Sequence, residues 1–222
     1  MGVNRAGFAI VDDEACKEAA KQEIIRRYLI AECSYKKGKI DQSILERTKL
    51  LMEEVNATRY DRVVVKPAED YAELKRSEDP ENNENVIVSA MELPDGSIVT
   101  GRSSENMVAT AAMVLNAIKK LAGIQDDALI ISPTILESLG NTKTRIFHDK
   151  SSLNLEEVIM ALTLTKLTNP LAELALRELP NLKGCIAHCT AILSEKDEQS
   201  LKALGIDITS NPEFSSNNLY SN

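Results

Sequence analysis

The residues with the clearest chemical potential form a short run of sulfur and imidazole side chains. Cys185, His188 and Cys189 lie within the five residues CIAHC, and all three side chain types can bind a transition metal. On a strand, however, the two cysteines share one face and His188 points to the other. Three ligands then cannot converge without a bulge, so the pattern favours small, buried cysteines in a central strand. For His188 two interpretations stay open: a hydrogen-bonded core residue or the acid/base of a site.

A second candidate group lies just before a long apolar stretch. Arg102, Ser103 and Ser104 precede residues with the composition of a buried helix. Serine hydroxyls at such a position cap free backbone amides, but those amides, the helix dipole and a guanidinium group also attract an anion. Glu105 would offset part of that positive field. The sequence is therefore compatible with ordinary capping and with an anion-binding site formed by Arg102, Ser103 and Ser104.

His148 is a weaker candidate, in a polar stretch beside Asp149. A histidine and a carboxylate can form a proton-transfer pair, but adjacent residues rarely reach the geometry this needs. The sequence contains no Ser-x-x-Lys motif, nucleophile elbow or phosphate-binding loop. We therefore assign no catalytic residue, and keep His188 and His148 as alternatives for an acid/base.

These residues must be positioned by a run of alternating strands and helices. Asp95 and Gly96 predict a tight turn within a hairpin over 86–101, and a helix follows over 104–122. Apolar runs predict further strands, and helices between them imply a mostly parallel sheet with helices on both faces. The hairpin adds one antiparallel edge. The further strands are expected near 128–132, 185–193 and 206–209.

We therefore predict an α/β domain over 59–222, a three-layer mixed-sheet domain whose order of elements resembles the cytidine-deaminase-like topology. Zinc deaminases carry His or Cys with a nearby Glu at one helix start, and Pro-Cys-x-x-Cys at another. Here the first helix start offers only Glu105, and the second begins at Pro133 without a cysteine. The sequence thus excludes zinc deamination, and we predict no metal site.

The amino-terminal part, residues 1–58, predicts an appendage of a different kind. After an apolar, strand-like start (GFAIV), two stretches show the i, i+4 spacing of amphipathic helices. A short polar link between them indicates a helical hairpin. Two helices alone bury little apolar surface, so we expect this hairpin to pack on a partner surface. The whole chain is then α/β, or α+β when the hairpin is included.

Composition restricts the classes of partner. The chain of 222 residues has a formal net charge of −8, with three Phe, five Tyr and no Trp. This argues against a phosphate-backbone binder and against a stacking surface for single-stranded nucleic acid. No apolar run approaches the roughly 20 residues that span a bilayer. Four cysteines without disulfide-rich spacing predict a cytoplasmic protein with reduced thiols, and with neither nucleic acid nor membrane as partner.

Three stretches also resemble a known family: MGVNRAGFAIVDDEACKEAAKQEIIRRY, then ELPDGSIVTGRSSE with the following NAIKKLAGI, and NLKGCIAHCTAILSEKDE. In this order they resemble the carboxyl-terminal half of the bacterial family called domain of unknown function 1846. Members are about twice as long as this chain, and their amino-terminal half contains a Gly-rich loop reminiscent of a phosphate cradle. The resemblance implies a truncated chain, a bacterial cytosolic setting and self-association, but no established reaction.

Two functions follow as expectations. The first is an interaction and oligomerisation module that forms a homo-oligomer, as the resemblance implies. It would contribute an anion-binding helix end to a site shared with the missing amino-terminal half. The second is an enzyme acting on a small phosphorylated or nucleotide-like metabolite, with His188 or His148 as acid/base. No cofactor is expected in this chain alone; a nucleotide or phosphate would be bound together with the missing half. A structural domain without a ligand is the third alternative.

Overall fold

The structure, a computed structural model, describes residues 13–78 and 86–215. The apolar start predicted as strand-like lies outside these residues. The chain divides into two compact units, residues 1–62 and 63–222. The sequence pattern placed this boundary after residue 58, a few residues earlier.

The first unit contains the predicted helical pair. Helix α1 (Asp13–Lys36) and helix α2 (Gln42–Glu54) pack against each other, and a 3-10 turn follows at Arg59–Asp61. Lys21 and Gln22 of α1 hold this turn: the Lys21 ammonium lies 3.0 Å from the Asp61 carboxylate, and Gln22 donates to the Asp61 carbonyl at 2.8 Å. Large apolar side chains stay exposed on the unit, namely Ile30, Tyr35, Ile44, Leu50, Leu51 and Val55.

The second unit is built on one four-stranded mixed sheet in the order β2-β1-β3-β4. The strands are β1 (Val88–Glu92), β2 (Ile98–Arg102), β3 (Ile186–Cys189) and β4 (Asp207–Ser210). β1 runs antiparallel to both β2 and β3, and only β3 and β4 are parallel. The expected mostly parallel layer is therefore wrong, because a single pair of neighbouring strands, β3 and β4, is joined by the crossover that parallel pairing needs.

The strand predicted near 128–132 is also absent. Ile130 and Ile131 are 4% and 5% exposed in the core, yet the segment is irregular and leads directly into α5 at Pro133. An apolar run bounded by polar residues shows burial but does not distinguish a strand from a buried loop. The other two predicted strands exist and are short.

Six of the described α-helices, α3 to α8, belong to the second unit. Helix α3 (Val65–Glu78) covers one face of the sheet, where Ala68 and Ala72 pack near Val88 and Ala90. Helix α4 (Ala109–Leu121) covers the opposite face and joins the main core. That core also includes residues of the remaining helices, which are α5 (Pro133–Thr142), α6 (Leu155–Thr165), α7 (Pro170–Arg177) and α8 (Glu195–Ala203). The described part of the second unit thus has three layers, and its likeness to the cytidine-deaminase topology stays a prediction.

Gly101 allows α4 to lie directly on β2. A Cβ atom at this position would be 2.1 Å from the backbone nitrogen of Met113, far inside any van der Waals contact. The helix contributes small side chains such as Ala111 and Ala117 to the buried layer, which also permits close approach. The position of α4 is therefore set by its contact with the sheet.

Helix α4 begins at Ala109, so the helix predicted over 104–122 is wrong at its start. The Ser104 hydroxyl accepts hydrogen bonds from the amides of Asn106 and Met107, which closes a turn before the helix. The backbone after that turn is extended and paired with Leu153: the Leu153 amide donates to the Asn106 carbonyl, and the Val108 amide donates to the Leu153 carbonyl. These bonds delay the helix by five residues.

Within the described residues, no helix has both the length and the apolar character required to cross a membrane.

Candidate functional site

A cleft of about 1210 Å³ opens at one edge of the sheet in the second unit. Strands β2 and β3 end there, and helices α4, α6 and α8 begin there. Ligands of open α/β sheets commonly bind beyond the carboxyl ends of strands, and three helix starts in one place bring three positive dipole ends to the cleft.

The start of α4 is buried and has no cap. Its N-cap residue, Val108, supplies no side-chain hydrogen bond, and the first intrahelical bond runs from the Ala112 amide to the Val108 carbonyl. Among the described residues, the amides of Ala109, Thr110 and Ala111 have no acceptor, although these residues are 3%, 1% and 0% exposed. Buried helix ends normally satisfy such amides by side chains, water or a ligand.

Thr110 adds a hydroxyl to these amides. Its Oγ1 atom is buried and has no hydrogen-bond partner among the described residues, and the residue lines the cleft. A buried polar group without a partner costs about 1–3 kcal/mol of stability. The Thr110 hydroxyl and the three amides therefore form a set of unused donors at the start of α4, where Ala109 and Thr110 line the cleft.

The other two helix starts are capped by the protein's own side chains. At α6, Asn154 and Glu157 form a reciprocal capping box, with bonds of 3.0 Å and 2.8 Å. The Leu155 amide also donates to the carboxylate of Asp197 at 3.2 Å. At α8, Ser194 accepts from the Asp197 amide at 3.1 Å and donates to the same carboxylate at 2.7 Å. One buried aspartate thus serves both helix starts.

The cleft has a positive excess of lining charges in a protein of net charge −8. Four basic residues (Arg102, Lys143, Lys150, Lys196) and three acidic ones (Glu105, Asp149, Asp197) line it. Lys143 is occupied, since its ammonium lies 2.8 Å from Glu157 and 3.8 Å from Asp149. The other three basic residues are exposed and make no ion pair with a described residue.

Cys189 lies in the cleft wall with 1% of its surface exposed. Burial, reinforced by the negative charge of Asp197, raises the pKa of its thiol. The thiol is therefore protonated at neutral pH, so it adds no negative charge to the cleft and is a poor nucleophile. Among residues 13–78 and 86–215, no three His, Cys, Asp or Glu side chains are grouped so as to hold a metal ion.

Arg102, Ser103 and Ser104 all line this cleft, but the two serines have structural partners. Ser103 Oγ accepts from the Ile87 amide at 3.3 Å, which extends the pairing of β1 and β2, and Ser104 closes the turn before α4. Neither serine caps the helix, because the helix begins five residues after Ser104. Sequence reasoning missed Thr110. Its only signal is the lack of a capping residue before Ala109, which becomes visible once the helix boundary is known.

His188 lies on the opposite face from Cys189, as the strand alternation predicts, and does not line the cleft. It is fully buried. Its Nδ1 atom is 2.9 Å from Thr209 Oγ1, and its Nε2 atom is 2.7 Å from Asn211 Oδ1. Asn211 in turn donates to Glu69 of α3 at 3.0 Å, which fixes its carbonyl oxygen toward the imidazole. His188 Nε2 is then the donor, and these contacts are those of a hydrogen-bonded core histidine.

His148 is exposed and ends a π-helical turn at Lys143–Phe147, with a left-handed backbone φ of 53°. It does not line the cleft. Its neighbour Asp149 lies 3.8 Å from the Lys143 ammonium, so the carboxylate is directed to that lysine. The structure therefore does not bring together the histidine and aspartate that the sequence suggested as a pair.

Comparisons with known proteins give a consistent family assignment. Residues 60–220 match the model described as Domain of unknown function DUF1846, C-terminal, and residues 1–56 match that described as Domain of unknown function DUF1846, N-terminal. The boundary between these matches lies close to the boundary between the two structural units. The resemblance to the carboxyl-terminal half of the family is confirmed, and it extends into the amino-terminal domain.

The curated relatives named here are more than twice as long as this chain. A UPF0371 protein of Clostridium botulinum strain Eklund 17B is 53% identical over 224 residues, which cover 100% of this chain and 44% of that protein. UPF0371 proteins of strains Alaska E43 and Langeland are each 52% identical, with the same coverage. The chain thus spans 44% of the length of the curated relatives it matches, and it belongs to the DUF1846 family, which includes these UPF0371 proteins.

Proposed function

We propose that the second unit binds a small anionic ligand in its cleft, and that it contributes the start of α4 and Arg102 to a site completed by the rest of a longer protein. The observation that carries this proposal is the buried start of α4, where three amides and the Thr110 hydroxyl have no acceptor among the described residues. Elsewhere in the cleft, the starts of α6 and α8 are capped by side chains.

An anion resolves the energetic problem at this helix start. Each unsatisfied buried donor costs about 1–3 kcal/mol, and charge-assisted hydrogen bonds to an oxyanion are about twice as strong as neutral ones. The aligned peptide dipoles of α4 add a positive potential. Asp197 neutralises mainly α6 and α8, to which its two carboxylate oxygens are bonded, so α4 is the start left for a ligand.

The dimensions of the cleft support a shared site. Small-molecule pockets typically measure about 300–1,000 Å³, whereas this cleft measures about 1210 Å³. A single anion would leave much of it unfilled. The relatives are more than twice as long as this chain, and in a protein of that length further residues would narrow the cleft and supply additional ligand contacts.

Titration calorimetry and thermal shift with inorganic phosphate, sulfate, citrate and nucleotides test the proposal, on this chain and on the longer protein. We expect at least one anion to raise the melting temperature, and Arg102→Ala to weaken its binding about tenfold. Arg145→Ala is the matched control, because Arg145 is an exposed arginine of the same unit that lies outside the cleft. If no anion binds either protein, or if both variants behave alike, the proposal is wrong.

An enzyme acting on a small phosphorylated or nucleotide-like metabolite is the second candidate. Its support is that apolar side chains, including Ile87 and Ile192, line the same cleft as the basic residues, so a carbon skeleton and an anion have adjacent places. Since neither His188 nor His148 lines the cleft, the acid/base would come from the rest of the longer protein. Product formation by the longer protein, and none by this chain, is the expected result.

Self-association and docking on the missing part of the protein are also proposals. The exposed apolar residues of α2, with those of α6 and α7 such as Met160, Leu164 and Leu174, support them, because such side chains are commonly covered at interfaces. Light scattering on this chain alone, and on an equimolar mixture with the amino-terminal half, measures both. A monomer that does not bind the other half would contradict them.

A further inference from the structure

We infer that the anion is the phosphoryl group of an organic phosphate monoester, held by the amides of Ala109, Thr110 and Ala111 and by the Thr110 hydroxyl. This inference rests on the proposed function and specifies its ligand class. It assigns Thr110, whose hydroxyl has no hydrogen-bond partner among the described residues, as a ligand-binding residue.

The number and kind of donors favour a phosphoryl group. Three successive amides at a helix start point in one direction along the helix axis, and the Thr110 side chain adds a fourth donor beside them. A phosphoryl group presents three terminal oxygens, each of which accepts more than one hydrogen bond, and helix starts are well suited to it. A carboxylate presents two oxygens in one plane and would leave donors of this set unused.

The charges of the residues that line the cleft also favour a phosphoryl group. A phosphate monoester carries about −1.5 to −2 charges near neutral pH, while a carboxylate or a sulfate ester carries one. Arg102, Lys150 and Lys196 are exposed cleft residues without ion pairs among the described residues. Asp197 is buried, unlike the other two acidic residues of the cleft, and it accepts hydrogen bonds from Leu155 and Ser194. Cys189 is neutral because burial raises its pKa.

The apolar residues in the rest of the cleft wall indicate that the organic part of the ligand is a carbon skeleton. Val86, Ile87, Ala191, Ile192 and Leu193 line the cleft, and they belong to the segments that enter β1 and leave β3. Three of them, Ile87, Ile192 and Leu193, are only half-buried, so a carbon skeleton can cover apolar surface there. Inorganic phosphate would use the α4 start and leave this surface uncovered, so we expect it to bind more weakly than an ester.

Calorimetry with four probes tests the inference: phenyl phosphate, inorganic phosphate, phenyl sulfate and benzoate. We expect phenyl phosphate to bind about tenfold more tightly than each of the others. Thr110→Val, which keeps the shape and removes the hydroxyl, should weaken phenyl phosphate binding about tenfold, and Thr110→Ser, which keeps the hydroxyl, should stay within about twofold of the original protein.

Stability separates a ligand-binding role of Thr110 from a structural one. Because the hydroxyl has no partner among the described residues, Thr110→Val should unfold at the same denaturant concentration as the original chain or a higher one, in the absence of ligand. A lower midpoint together with unchanged binding would overturn the inference, because the hydroxyl would then have a structural role.

The outcomes also separate this inference from the proposal on which it rests. If benzoate or phenyl sulfate binds as tightly as phenyl phosphate and depends on Arg102, the cleft binds anions but is not selective for phosphoryl groups. The inference then fails and the proposed function stands. If none of the four probes binds this chain or the longer protein, both fail.

Discussion

Helices α4 and α6 both begin at the cleft, but only α6 has its first amides satisfied by side chains. At α6 the protein supplies an N-cap, a capping box and the carboxylate of Asp197. At α4 it supplies a valine, and in the described part of the chain the hydroxyl of Thr110 has no hydrogen-bond partner. Natural helices favour Ser, Thr, Asp or Asn at the N-cap because these residues add about 1 kcal/mol of stability. The missing cap at α4 is thus a loss of stability that a ligand can offset.

The comparison also shows how α4 keeps its position without a cap. The helix lies against the backbone of β2 at Gly101, and Val108 is bonded to the Leu153 carbonyl. Packing and backbone pairing therefore fix the place of the helix start, while its donors remain available. At α6 the same side chains that satisfy the donors also hold the helix in place.

The largest expected effect comes from removing the packing that positions α4. Gly101→Ala places a Cβ atom 2.1 Å from the Met113 nitrogen, and backbone on both sides has little freedom to move. We expect a loss of at least about 3 kcal/mol in the free energy of unfolding, measured by urea denaturation. Gly96→Ala is the control for loss of a glycine without a clash: it has open space around it, and its φ of 78° should cost only about 1–2 kcal/mol. An equal, small effect of both would show that α4 is not fixed by this contact.

The second-largest effect on stability is expected at the start of α6, which side chains cap. Asp197→Ala leaves the Leu155 amide and the Ser194 hydroxyl without their acceptor, and we expect a loss of about 2–3 kcal/mol. Asp197→Asn retains hydrogen bonding and removes the charge, so it should lose less stability. It should also tighten phosphate binding, since a negative charge disappears from the cleft wall. Weaker phosphate binding by a folded Asp197→Asn variant would contradict our account of the cleft's electrostatics.

The smallest effect is the most direct test of the difference between the two starts. Val108 has the extended backbone of an N-cap residue, with φ −70° and ψ 157°. Val108→Ser should therefore provide the missing cap and raise stability by about 0.5–1 kcal/mol. Because the serine would occupy an amide of α4, it should also weaken phosphate binding. Val108→Ala, which adds no acceptor, should leave phosphate affinity unchanged; a similar loss in both variants would point to packing.

The sequence predicted local features well where short-range chemistry decides them. The helical pair, the hairpin around Asp95 and Gly96, and the opposite faces of His188 and Cys189 are all confirmed. The family resemblance is confirmed as well. In each case turn preference, periodicity or extended similarity gives a signal that depends little on the rest of the fold.

The errors arise where distant residues compete with local preference. Leu153 pairs with the backbone around Met107 and delays α4. The residues just before the helix give no sequence signal that predicts this contact. Ile130 and Ile131 are buried in the core but do not form a strand of the sheet. Thr110 was missed for the same reason, because an unused donor is defined by what fails to reach it in three dimensions.

The pairing of β1 with β3 has a consequence for how the protein is made. The Val88 amide donates to the Thr190 hydroxyl 102 residues later. Pairing these segments therefore closes a long loop of the chain. Contacts of such separation form slowly, because the entropy of closing the loop is lost before the contact is gained. On the ribosome, β1, β2 and α4 emerge well before β3, and the cleft acquires its Cys189 wall only when β3 arrives. The cleft is therefore among the last parts of the second unit to form.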